Sequence, residues 1–180
     1  GTEILKQTGS DGDKWEVYEK LKFESEAEYY AKCYVNTYNG NLIQLNNYNY
    51  CYDRGIVSYK SGGKLKSITI TWASGNTYTN RPLSVYGSNI PYYTPADIYK
   101  EQEFWLGDID PYNKKKGDTD VITPSEPYTY VGLCGWESGG FFIDKIEIVW
   151  EVEAPTTVAV PVGAAGISTF CSEYDLDFSG

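Results

Sequence analysis

The segments Ser67–Ile68–Thr69–Ile70–Thr71–Trp72 and Lys145–Ile146–Glu147–Ile148–Val149–Trp150 share one pattern, x-Ile-x-Ile-x-Trp. Successive side chains of an extended chain point to opposite faces, so one face of each segment carries Ile, Ile and Trp. The other face carries Ser, Thr, Thr in the first and Lys, Glu, Val in the second. One apolar side and one mainly polar side is the pattern of antiparallel strands that have one face buried and one wet. The two segments continue differently. The first leads into a Ser/Gly/Asn/Thr loop and then Pro82–Leu83, the second into Ala154–Pro155–Thr156–Thr157. The pair therefore reads as two core strands of one sandwich, each ending in a buried or edge-packing tryptophan, and not as repeat units.

The rest of the chain reads as many short strands separated by turn residues, which argues for a sandwich or barrel. Trp15–Tyr18 and Leu21–Glu24 alternate, and Glu24–Tyr30 could hold a helical turn. Asn39–Gly40 is a hairpin signal, followed by a short strand Asn41–Leu45. Further strands are expected at Gly55–Tyr59, Leu83–Gly87, Phe104–Gly107, near Val121–Ile122, at Tyr128–Gly135 and at Phe141–Val152. Asp108–Pro127 is the longest loop region. The expected fold is an all-β, antiparallel jelly-roll β-sandwich over residues 1–153. Residues 154–180 form a linker and short β tail, the opening of a second module, and are too few to bury a core alone.

Composition narrows the chemistry. Fifteen basic against twenty-five acidic residues give a net charge of −10, so nucleic acid is not expected as a partner. Lys114–Lys115–Lys116 lies among aspartates and reads as a solvated loop tip. With no histidine, Ser-His-Asp and Cys-His catalysis and histidine-ligated metals are excluded within the chain. No apolar run reaches ~18 residues, so no transmembrane helix is expected. Gly1, in a chain without methionine, reads as a processed or engineered start, with room for an export signal upstream. None of Cys33, Cys51, Cys134 and Cys171 forms a CxxC pair. Cys33 and Cys51 could bridge in an exported chain, which sequence leaves open. Cys134, after Val131 and Leu133 in a strand, reads as a small apolar filler.

A series of short motifs recurs in a familiar order: Asn39–Gly40–Asn41, Ile43–Gln44–Leu45, Gly55–Ile56–Val57, Ser61–Gly62–Gly63–Lys64, the Ile-x-Ile-x-Trp strand, Arg81–Pro82–Leu83, Val85–Tyr86–Gly87–Ser88–Asn89, Ala96–Asp97–Ile98–Tyr99, Tyr130–Val131–Gly132 and Ile143–Ile148. This order, over residues 36–151, resembles exported β-sandwich domains in multidomain surface proteins of gut anaerobic bacteria. The tail from Val160 to Ser179 resembles the opening of a β module that follows such domains. The strand order is also similar to galactose-binding-like and carbohydrate-binding jelly rolls. The resemblance implies a secreted or cell-surface location, with the periplasm as the alternative. It supplies no binding residues, and the Tyr48–Asp53 loop departs from its pattern. Fold alone does not assign function.

Three groups of side chains are candidates. Glu147, Glu151 and Glu153, with Asp144 nearby, could suggest a glycosidase acid and nucleophile. They fall on the wet face opposite the isoleucines, however, and lack the Glu-x-Asp-x-x-Glu spacing. Asp108, Asp110, Asp118 and Asp120 faintly echo a calcium loop; no cofactor is expected, with calcium as the alternative. Finally, aromatics outside the alternating strands (Tyr48, Tyr50, Tyr52, Tyr92, Tyr93, Trp105, Tyr112 and Trp136) lie near Asn46, Asn47, Asn49 and Asn89. Aromatic planes stack on the C–H faces of sugars while amides bind hydroxyls, so Trp136, Tyr92, Tyr93, Trp105 and Asn89 are the expected ligand contacts. The chain is thus expected to be a non-catalytic accessory or adhesive module, monomeric within a larger protein. It would bind glycan or a host or cell-surface protein through loops at one end of the sandwich, without inserting into a membrane. A structural spacer is the alternative, and a glycoside hydrolase the remote one.

Overall fold

The computed structural model describes residues 1–5, 17–22, 27–36, 42–45, 52–74, 81–100, 105–136 and 142–151, with the backbone alone for 3–5, 17–22 and 30–36. Its strands are β1 (Thr2–Leu5), β2 (Val17–Lys22), β3 (Glu28–Asn36), β4 (Leu42–Gln44), β5 (Gly55–Lys60), β6 (Lys64–Ser74), β7 (Leu83–Ser88), β8 (Trp105–Ile109), β9 (Thr119–Ile122), β10 (Tyr130–Gly135) and β11 (Phe142–Glu151). Among the described residues, a 3-10 turn spans Pro95–Asp97. No helix among the described residues is long and apolar enough to cross a membrane.

The two Ile-Ile-Trp segments lie in β6 and β11, which are direct antiparallel neighbours. Ile146 stands opposite Ile70 and Ile148 opposite Ile68. All six side chains of the two apolar faces are buried. Each tryptophan also needs a partner for its indole N–H once it leaves water. Trp72 Nε1–H donates to Asp120 Oδ2 at 2.6 Å, and Trp150 Nε1–H donates to the Tyr29 hydroxyl at 3.1 Å. Both tryptophans are therefore core residues, and neither packs at an edge.

These strands form the centre of the first sheet. β9 flanks β6, and β4 and β1 both pair with β11. The second sheet runs β8-β7-β10-β5-β3, with β2 outside β3. β3 joins the two: its first part pairs with β5 and β2, and Tyr34–Asn36 pairs with β4. Every pairing among the described strands is antiparallel. Ile56, Leu83, Val85, Val131 and Leu133 of the second sheet meet the Ile-Ile-Trp faces of the first in one core. The chain is therefore all-β, with two antiparallel sheets in a sandwich-like arrangement. The strand partners nest: β4 with β11 and β6 with β9 in the first sheet, β5 with β10 and β7 with β8 in the second.

Two expectations change. Glu28–Tyr30 is strand and not helical turn, because β3 begins at Glu28, whose carboxylate accepts the Tyr59 hydroxyl while Tyr29 is buried in the core; Glu24–Glu26 lie outside the described residues. Asp108 and Ile109 belong to β8 and not to the following loop, because their backbones pair with Ser84 and Leu83. The Asn39–Gly40 turn, Tyr48, Tyr50, Asn46, Asn47, Asn49, the Cys33 side chain, Cys51, Cys171, Glu153 and the 154–180 tail lie outside the described residues and side chains.

Candidate functional site

Alternation along the second sheet creates a second face, turned away from the core. On β7, Leu83 and Val85 point inward, so Ser84 and Tyr86 point outward. On β10, Val131 and Leu133 point inward, so Gly132 and Cys134 point outward. Strand register then lines these residues up in rows. Asp108 stands opposite Ser84, which stands opposite Cys134. Trp105 stands opposite Tyr86, which stands opposite Gly132 and then Val57.

The connection after β7 covers part of this face. Tyr92 and Ile98 are buried against Val57, Tyr86 and Cys134. Two glycines make the close approach feasible. A Cβ on Gly132 would meet Ile98 Cγ1 at 2.9 Å, and one on Gly55 would meet the Leu133 carbonyl at 2.7 Å and Ile98 Cδ1 at 3.1 Å. The connection is held by Asp97, whose Oδ2 accepts the Tyr93 and Thr94 amides at 2.9 Å each, while Lys100 Nζ binds Oδ1 at 2.9 Å. Burial tends to raise the Asp97 carboxyl, but the Lys100 and amide hydrogen bonds outweigh it and hold it below its ordinary value.

In the remainder of the face Ser84 and Tyr86 are buried, and the exposed side chains are Trp105, Asp108 and Tyr52. Trp105 is 54% exposed on the edge strand, and its Nε1–H donates to Asp108 Oδ1 at 3.0 Å. The Ser84 hydroxyl donates to the same oxygen at 2.6 Å. Beyond Tyr86, the half-buried Trp136 donates its indole N–H to the Tyr86 hydroxyl at 3.0 Å. Trp136 meets Tyr99 edge-to-face at 4.9 Å and the exposed Tyr52 at 5.8 Å. The Tyr99 hydroxyl donates to the Arg54 carbonyl at 2.6 Å. Burial raises the Tyr86 phenol, helped by the nearby Cys134 and Asp108 and opposed by the Trp136 bond. Burial pushes the Cys134 thiol up to about 12, so it is an unreactive filler.

The expected contact residues are therefore divided. Trp105 and Trp136 share this outer face. Tyr92 is a correction: it is 1% exposed, because its ring closes over the glycine floor, and it offers no surface. Tyr93 is exposed on the covering connection, and Asn89 accepts a hydrogen bond from Thr129 at 3.3 Å away from the tryptophans. Ser84 and Tyr86 were not singled out by sequence reasoning. The alternation of Leu83–Ser88 puts them opposite Leu83 and Val85, but only strand register brings them beside Trp105 and Asp108.

The aspartates have separate partners. Asp110 Oδ1 accepts the Tyr112 amide, Asp118 Oδ2 accepts the Lys115 amide, and Asp120 binds Trp72 and Lys114. Among the described residues, no three His, Cys, Asp or Glu side chains gather as a metal site. Glu151 pairs with Lys66 at 3.0 Å and Glu147 with Lys145 at 3.6 Å on the outer side of the first sheet. Compared with known proteins, the chain matches no family model, no curated protein and no solved structure.

Proposed function

We propose that this chain is a non-catalytic, exported accessory or adhesive module that binds glycan on the outer face of the second sheet. One observation carries the reading. Trp105 is largely exposed, yet its ring is fixed by a hydrogen bond to Asp108. An exposed indole normally has no structural reason to be held still. A fixed aromatic plane beside an exposed carboxylate is a combination that stacks on a sugar ring and binds its hydroxyls. Ligand binding thus moves from the loops at one end of the sandwich to a sheet face, with Trp136 and Tyr52 at its far side.

The nested strand pairs support a jelly-roll fold, because a long hairpin wound across two sheets leaves its paired arms as neighbours in that way. The motif order that resembles surface-protein sandwich domains of gut anaerobes supports export and a cell-surface setting. The competing reading, a structural spacer, is favoured by the covering of the face by Tyr92 and Ile98, which are buried against Val57, Tyr86 and Cys134. A glycan array probed with wild type and Trp105→Ala separates them. Binding that Trp105→Ala abolishes, with an unchanged melting temperature, is expected. A blank array for the wild type would leave the spacer standing.

A further inference from the structure

The charge around Trp105 and Asp108 points to the kind of sugar they take, a step that rests on the glycan reading. β8 is the outermost strand of the second sheet, and its Trp105 and Asp108 stand opposite Tyr86 and Ser84 of β7. Both β7 residues are buried. The exposed surface at this place is therefore confined to the edge strand, and one ring fills it. Trp105 and Ser84 both donate to Asp108 Oδ1. Asp108 is exposed, and among the described residues its Oδ2 accepts no protein donor and no lysine or arginine pairs with it. The carboxylate charge is thus held in place by two neutral donors and is not cancelled. Its neighbours on the face do not cancel it either: Tyr86 and Cys134 keep their protons, chiefly through burial, with Asp108 acting in the same sense. The face of an indole ring carries negative potential and attracts cations. The net charge of −10 adds to this at longer range. All three features repel an anion and attract a cation.

We infer that Trp105 and Asp108 hold a single amino sugar with a free amine, its C–H face on the indole and its ammonium group on Asp108 Oδ2. An exposed ion pair is worth about 1.5- to 5-fold in affinity. A cation beside an exposed tryptophan is worth about two- to fivefold. The amine form therefore binds roughly 3- to 25-fold tighter than the same sugar with a hydroxyl in place of the amine. N-acetylation removes the charge and with it the advantage.

The test uses the full chain and calorimetric titration at slightly acidic pH, where the amine is protonated. The probes are the methyl glycosides of glucosamine and galactosamine, their N-acetyl forms, and those of glucose and galactose. Nα-acetyl-lysine amide serves as a cation without a sugar ring. The amine sugars should bind tightest, and added salt should shrink their lead. Asp108→Asn should abolish that lead. Glu151→Gln, which makes the same change of charge at an exposed residue of the first sheet, should leave it in place. Melting curves check that each variant folds. Equal affinity for the amine, N-acetyl and hydroxyl forms overturns the inference and leaves the glycan reading intact. So does a lead that survives Asp108→Asn, or tighter binding of the lysine amide than of the amine sugars. No binding to any probe overturns both.

Discussion

Truncating Ile70 and Ile146 to alanine, singly and together, tests the core register directly. The two stand opposite each other across β6 and β11, and both are fully buried. Opposed Cβ atoms in an antiparallel pair are about 5 Å apart, so the side chains touch. Each Ile→Ala change removes buried carbon and leaves a cavity, costing about 2–5 kcal/mol. In a chain of 180 residues that lowers the melting temperature by roughly 4–20 °C, at about 2–4 °C per kcal/mol. The second truncation removes contacts already half lost, so the double variant should cost about 0.5–3 kcal/mol less than the sum. Ile→Val at the same positions, at about 0.5–1.5 kcal/mol each, supplies a milder cycle should the double alanine variant unfold. Thr69 and Glu147 are opposed on the other face and serve as the control, with Thr69→Ala expected to cost under about 1 kcal/mol. Urea unfolding followed by tryptophan fluorescence gives all these values. Strict additivity at Ile70 and Ile146, or equal costs for Ile70→Ala and Thr69→Ala, would refute the register, since a one-residue slip exchanges the faces.

The outer face supplies two more expected outcomes. Gly132→Val drives side-chain carbon into Ile98 and Tyr92 and should cost about 1–3 kcal/mol; adding Ile98→Ala should recover part of that loss, and no recovery in chemical denaturation would mean that Ile98 is not the obstacle. The neutral Cys134 thiol contributes stability that is complete below its ordinary value of 9.0 and is lost as pH rises from there toward about 12, because only the unfolded chain ionises in that window. Stability curves of wild type and Cys134→Val should therefore diverge above pH 9, and alkylation mapped by mass spectrometry should spare Cys134 in the folded chain at pH 8.

Much of the fold is legible in the sequence because its strands are half-buried. Ile68, Ile70 and Trp72 alternate with Ser67, Thr69 and Thr71, and the alternation alone states which side faces the core. The same holds for Leu83 and Val85 and for Val131 and Leu133. What alternation cannot state is which strand lies beside which. That is fixed by contacts between residues far apart in the chain, such as Trp72 with Asp120 and Trp150 with Tyr29. Tyr92 misleads for a related reason. Beside a proline in a polar connection it looks like a surface ring, and its burial depends on Gly132, a residue that reads simply as part of a strand.

The candidate site is less legible for the same physical cause, in sharper form. None of its parts is unusual in its own segment: an aromatic at a strand start, an aspartate before an Asp-rich loop, a serine between two apolar residues. Asp108 in particular looks like the first member of the aspartate series that ends at Asp120. Its backbone pairing with Ser84 separates it from Asp110, Asp118 and Asp120, whose carboxylates are occupied by nearby amides, Lys114 and Trp72. That pairing turns it toward Trp105. The chemistry of this face is therefore a property of register: a bulge between Val85 and Tyr86 sets Trp105 beside Tyr86 while Asp108 stays beside Ser84. Removing that irregularity would shift Trp105 relative to Asp108 and break the hydrogen bond that holds the indole in place, even with every residue of the site retained.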